Sequence, residues 1–177
     1  MTVETHTAIR AAAADDAERV AAIFGGYVLQ SIATFVEDPP TAESWRELIR
    51  YGSRSGLPFM VADVDGRVAG FAWCSPYRSK AAYRYTVEDS IYIAPEASGQ
   101  GLGARLLADV LAGLEGTEIR QVIAVIAAVA GSRHDTPSMV LHRRLGFAEV
   151  GRLPAVGYKN GQWADTVLMQ KDLRPVG

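Results

Sequence analysis

Two rhythms of apolar and polar positions run along this chain, and the switches between them mark its elements. From Thr7 to Ala11 the pattern predicts a short first strand. A helix is predicted over Ala14 to Leu29, where Val20, Ile23, Phe24 and Tyr27 recur at helical spacing and Asp15 and Asp16 suit its N-terminus. The turn-forming Glu37-Asp38-Pro39-Pro40 follows. Thr41 then caps a second helix that lays Trp45, Leu48 and Ile49 on one face. Two apolar runs follow, Phe59 to Val64 and Val68 to Cys74. These read as strands joined by Asp65-Gly66, a hairpin turn signal.

A third long strand is predicted from about Tyr85 to Ile93. Alternation puts Val87, Asp89, Ile91 and Ile93 on one face and Thr86, Glu88, Ser90 and Tyr92 on the other. After Pro95 comes a glycine-rich stretch, then a helix with the stripe Leu102, Leu106, Leu107, Val110, Leu111 and Leu114, ended by Gly116. Gln121 to Ile126 is rich in β-branched residues and reads as a buried strand. Asp135 or Thr136 caps the next helix, Pro137 suits its first position and Gly146 ends it. Two last strands flank Asn160-Gly161, the second over Trp163 to Gln170. Strands, helix, strand, helix, strands indicate an α+β or mixed α/β fold around a central sheet.

Length and composition narrow the picture. The 177 residues suit one domain spanning 1–177, and 49% are hydrophobic, enough to bury a core. No apolar run reaches the roughly 18 residues of a membrane span, and the start, MTVETHTAIR, lacks the apolar stretch of a signal peptide. A net charge of −2 argues against nucleic acid as the main partner. The lone Cys74 excludes an internal disulfide, fits a reducing cytoplasm and lies in an apolar run, where inert packing is the expected use. His6, His134 and His142 are not spaced as metal ligands, so no metal is expected.

The segment Ser98-Gly99-Gln100-Gly101-Leu102-Gly103-Ala104 lies between a strand and an amphipathic helix. Glycines let backbone approach a ligand, and the free N–H groups and dipole of a helix start attract an anion such as a diphosphate. A nucleotide P-loop would need Lys and Ser or Thr where Ala104-Arg105 stands. Gly99, Gly101 and Ala104 do fit the dinucleotide turn G-x-G-x-x-A, but Glu118 precedes the next strand instead of ending it. A pyrophosphate loop for acetyl-coenzyme A and a plain helix start remain, and the local motif alone leaves both open.

The flanks carry a resemblance. Tyr83-Arg84-Tyr85-Thr86-Val87-Glu88, Ile91-Tyr92-Ile93 and the glycine turn come in sequence. Pro137-Ser138-Met139-Val140-Leu141-His142 then leads to Leu145-Gly146-Phe147, and Gly157-Tyr158-Lys159-Asn160-Gly161-Gln162-Trp163-Ala164-Asp165 follows. Together with Ala33-Thr34-Phe35 and Pro40-Thr41, these resemble the GNAT acetyltransferases, and within them the phosphinothricin and methionine sulfoximine group. The likeness spans roughly residues 8–173. Ser98 stands where the group has Arg or Gln, Asp135 stands where it has Asn, and Ala127 to Arg133 is a longer connection than usual.

The resemblance implies the GNAT fold, a strongly twisted mixed sheet of about seven strands flanked by about four helices. It also implies acetyl-CoA as cosubstrate and a small-molecule amine as acceptor, with no nucleic acid or membrane partner. Glu88 is then the general base and His142 a donor to the leaving thiolate. Ile91, Tyr92, Ile93, Ser98, Gly99, Gln100, Gly101, Leu102, Gly103, Ala104, Asp135 and Ser138 are the coenzyme contacts. Thr34, Phe35, Arg78, Tyr83 and Arg84 are the acceptor contacts, and a homodimer is expected. Direct attack by the amine requires a neutral nitrogen, hence a base. The alternatives are another amine, a peptide or protein acceptor, or a coenzyme A-binding sensor without catalysis.

Overall fold

A computed structural model describes residues 6–174; the start of the segment read for a leader lies outside them. Seven strands form one sheet in the order β1-β2-β3-β4-β5-β7-β6. They are β1 (Thr7–Ala11), β2 (Phe59–Val64), β3 (Arg67–Pro76), β4 (Thr86–Ile93), β5 (Gln121–Val129), β6 (Ala148–Lys159) and β7 (Gln162–Asp172). Only β4 and β5 pair in parallel, with α3 (Leu102–Gly113) as their crossover. The other helices are α1 (Ala17–Gln30), α2 (Ala42–Ser55) and α4 (Pro137–Arg144).

Both predicted hairpins form. Asp65 and Gly66 have φ of 50° and 82°, and Asn160 and Gly161 have 51° and 76°. Paired positive φ gives the twist that two-residue hairpins need. The remaining boundaries shift for physical reasons. The predicted first helix opens as a 3-10 turn over Ala14–Asp16, because the Asp16 carboxylate accepts from the Ala13 N–H and is gripped by Arg10. β3 runs on to Pro76, and β4 starts at Thr86, one residue later than expected. β5 continues beyond Ile126 to Val129, because Ala127, Ala128 and Val129 pair with Thr166, Asp165 and Ala164.

α1 and α2 cover one face of β2, β3 and β4. An aromatic cluster sits there, with Trp45 packed edge-on against Phe24, Phe71 and Trp73. α3 covers the other face with Leu106, Leu107 and Val110 fully buried, and α4 leans on β5. Cys74 is buried on the α3 face, and burial pushes its thiol pKa well up, as suits packing and not nucleophilic attack. Among the described residues no helix is long and apolar enough to cross a membrane.

Candidate active site

The sheet splits in its middle. β4 pairs with β5 from Thr86 to Asp89, and the ladder ends at Asp89 opposite Ala124. β4 runs on beside β3 as far as Ile93 opposite Gly70. Ala94 donates its N–H to Ala69 O at 2.8 Å, so Ala94, Tyr92 and Ser90 turn their peptide groups toward β3. By alternation, Ile91 and Ile93 turn theirs toward the gap that β5 has left. The Ile93 carbonyl confirms that direction: it accepts the Tyr27 hydroxyl at 2.7 Å instead of a strand partner.

The glycine turn stands at the far end of β4. Gly99 and Gly101 have φ of 78° and 75°, a left-handed conformation that costs other residues energy. Ser98 to Gly101 are exposed. Among the described residues, no acceptor meets the N–H groups of Gly99, Gln100 or Gly101, and the opening amides of α3 have no partner within the helix. The geometry is that of an anion cradle. Gly103, expected among the coenzyme contacts, has a packing reason as well: a Cβ there would meet Leu141 Cδ2 at 3.3 Å and Ile91 Cδ1 at 3.8 Å.

Glu88 lies on the face of α1 and α2, opposite Ser75 of β3 and Ile123 of β5. Burial raises its pKa above the usual 4.5 and the neighbouring Asp89 adds to the rise, while the Arg78 cation opposes it. A cleft of about 270 Å³ opens on the same face, walled by Tyr77, Tyr83, Thr86, Ile123, Val150 and Leu168; Glu88 is not one of its walls, but Thr86 precedes it on that face and Ile123 is its partner on β5. Tyr92 lies further along the same face, its hydroxyl pushed up to about 12 by burial although the nearby Thr34 side chain opposes the rise. Thr34 is buried and Phe35 is exposed in the connection between α1 and α2.

The basic connection from β3 to β4 divides its cations. The Arg78 guanidinium lies 4.9 Å from the Tyr77 ring centre and within electrostatic reach of Glu88. Arg84 stacks 4.4 Å over Tyr85 and donates to Ala81 O. Thus Tyr83 lines the cleft, Arg78 acts on Glu88 through its charge and Thr34 lies by Tyr92 further along the face, whereas Arg84 is engaged with its own connection.

His142 is buried, its Nε2 2.8 Å from Asp89 Oδ2 and its Nδ1 2.7 Å from Ser138 O. A carbonyl can only accept, so Nδ1 carries a proton. Burial works against a charged ring, but the Asp89 carboxylate and the Ser138 carbonyl outweigh it and hold the His142 pKa above 6.5. Both ring nitrogens are engaged, so giving a proton to a leaving thiolate requires one of these bonds to open. Ser138 Oγ stays 3.3 Å from the same ring. The N-cap of α4 is Thr136, whose Oγ1 accepts from Met139 N at 3.2 Å. Asp135, the other capping candidate, is paired with Arg143 at the surface.

Sequence reasoning missed Asp89 as a partner of His142; its signal was a lone carboxylate on the otherwise apolar face of Val87, Ile91 and Ile93. It also left Asp165 without a task. That buried carboxylate accepts from Gly131 N, Ala155 N and Arg152 Nε, fixing the connection after β5 to a bulge in β6. Among the described residues no group of three or more His, Cys, Asp or Glu is placed to hold a metal.

Known proteins resemble this chain in sequence and in fold. The family model described as acetyltransferase (GNAT) family matches residues 9–147. A phosphinothricin N-acetyltransferase of Alcaligenes faecalis is 42% identical over 165 residues, 93% of this chain and 82% of its own. An L-methionine sulfoximine/L-methionine sulfone acetyltransferase of Pseudomonas aeruginosa is 34% identical, covering 94% of this chain and 95% of its own. Among solved structures, a phosphinothricin acetyltransferase from Sinorhizobium meliloti in complex with AcCoA superposes with a TM-score of 0.84 at 39% identity, covering 94% of this chain and 88% of that one.

Proposed function

The chain belongs to the GNAT acetyltransferase family, and from that premise we propose that it acetylates the amino group of a small amino acid analogue of the phosphinothricin or methionine sulfoximine kind. The observation that carries this reading is the placement along one strand. Glu88 stands on β4 between Thr86, which walls a cleft, and the point where the sheet splits, and the glycine turn follows. Acetyl-CoA supplies the activated acyl group. Gly99, Gln100, Gly101 and the first amides of α3 would hold its diphosphate, with Ser98, Ser138 and Asp135 at the rim.

In this reading Glu88 takes a proton from the acceptor ammonium, directly or through one water, which frees the lone pair for attack. Its raised pKa suits that exchange near neutral pH. The N–H groups of Ile91 and Ile93, turned to the gap, are the donors for negative charge building on the carbonyl oxygen. His142 is the proton source for the departing thiolate, by opening its bond to Ser138 or Asp89. Arg78, with Tyr83, Thr34 and Phe35, receives the polar side chain of the acceptor. Residues 1–177 are taken as one domain, working in the cytoplasm as a homodimer across the open face of β5, β7 and β6.

The test is thiol release from acetyl-CoA in the presence of either analogue. Glu88→Gln is expected to lower kcat roughly 100- to 10,000-fold with the KM for acetyl-CoA unchanged. Full activity in that variant removes Glu88 from its role.

A further inference from the structure

The β6–β7 hairpin grips the loop between α1 and α2 at three points. Lys159, at the end of β6, is only 5% exposed, and its Nζ donates to Thr34 O at 2.7 Å. Asn160 Nδ2, in the turn, reaches Ser31 O at 3.4 Å. Gly157 is buried beneath the Phe35 ring, and a Cβ at that position would overlap the ring edge. Ser31 also bonds back to Tyr27 O of α1, and Val36 N donates to Thr34 Oγ1 at 3.2 Å within the loop.

We infer that Lys159 and Gly157 are positioning residues for the acceptor: they set where Thr34 and Phe35 stand relative to Tyr92 on the Glu88 face, and so set which amino acid side chain fits. The inference rests on the proposed function, since it takes the Glu88 face of β4 as the acceptor site. Neither residue lines the cleft on that face.

Two independent features carry it. The first is chemical. Taking an ammonium out of water is costly, and among the described residues a single backbone carbonyl is its hydrogen-bond partner. An apolar side chain of that length would fill the space without the desolvation. What the ammonium adds is direction: it fixes the Thr34 peptide, and the Thr34 side chain lies close enough to Tyr92 on the Glu88 face to lower the pKa of its hydroxyl. The second is steric. Gly157 lacks the left-handed φ that marks the turn glycines, so its lack of a side chain serves the close seat of Phe35. Cation and notch act on adjacent loop residues from the same strand end.

The experiment compares Lys159→Met and Gly157→Ala with wild type, using phosphinothricin and methionine sulfoximine as acceptors. Both variants are expected to raise acceptor KM roughly tenfold, with the KM for acetyl-CoA and kcat within about twofold. The ratio of kcat/KM between the two acceptors should shift, and more in Gly157→Ala, where the ring is displaced. The melting temperature of Lys159→Met is expected to stay within about 4 °C of wild type, because the lost hydrogen bond and the lost desolvation offset each other. A fall well beyond that with unchanged acceptor KM would mean plain structural support and overturn the inference. So would variants that keep both acceptor KM and selectivity. If wild type acetylates neither acceptor, the proposed function fails first and the inference falls with it.

Discussion

His142 Nε2 and Asp89 Oδ2 lie 2.8 Å apart with both side chains buried, and the second oxygen of Asp89 has no hydrogen-bond partner among the described residues. The carboxylate therefore depends on the imidazole, and the pair ties α4 to β4 where the sheet divides. Removing the ring with His142→Ala leaves a buried, unpaired carboxylate and is expected to cost about 3–5 kcal/mol in denaturant melts.

The same pair makes stability depend on pH in a definite direction. The folded His142 pKa stands above its ordinary 6.5, so the pair's contribution is complete below 6.5 and is lost as pH rises through the folded value. Asp89→Asn removes the counter-charge. The stability gap between wild type and Asp89→Asn should be widest near about pH 5 and close toward about pH 9. A gap that stays constant over that range would show a ring that is neutral throughout.

Arg78 bears on Glu88 through space. Burial and the Asp89 charge raise the Glu88 pKa, and the Arg78 cation pulls against them. If Glu88 is the base, kcat/KM falls on the acid side as it protonates. Arg78→Gln should then move that acid limb to higher pH. Because Arg78 is exposed, salt should shrink the shift. A limb that is unmoved at low ionic strength would separate Arg78 from Glu88.

How much of this was legible in the sequence depended on the range of the forces involved. The hairpin turns, the stripe of α3 and the face of Glu88 follow from neighbours a few residues apart, and all formed as expected. The extension of β5 through Ala127 and Ala128 did not show, because alanine has little strand preference and pairing with β7 decides it. The 3-10 start before α1 depends on Arg10, which also reaches Asp63 across the sheet. His142 and Asp89 are 53 residues apart, and only the docking of α4 brings them together. The motif at Gly157 to Asp165 was visible, but its tasks of gripping the acceptor loop and bracing a bulge were not.

The glycine turn permits opposite predictions. Gly101 caps α3 with φ of 75°, where alanine costs roughly 1–2 kcal/mol and the chain relaxes. Gly101→Ala should weaken coenzyme A binding in calorimetry and leave acceptor KM alone. Ser98 is exposed and donates its backbone N–H to Pro95 O, leaving its side chain at the cradle's rim. Ser98→Arg should tighten coenzyme A binding through a charge-assisted contact to the diphosphate, most at low salt. If both variants bind as wild type does, the diphosphate lies elsewhere.

The homodimer reading makes the last prediction. α1 and α2 lie over β2, β3 and β4, so the same face of β5, β7 and β6 is left without a helix. Val129, Val150 and Leu153 stand on these strands 49%, 57% and 47% exposed, continuous with the cleft that Val150 and Leu168 wall. In the homodimer reading this apolar strip is the surface that the partner copy covers. A two-fold axis there would set each copy's strip against the other, closing the open side of the cleft. Sedimentation at micromolar concentration should show a dimer for wild type and a monomer for Val129→Glu with Leu153→Glu, and the monomer should lose acceptor affinity before coenzyme affinity. A wild type that sediments as a monomer, or a monomeric double variant with full acceptor affinity, would detach the cleft from any partner copy.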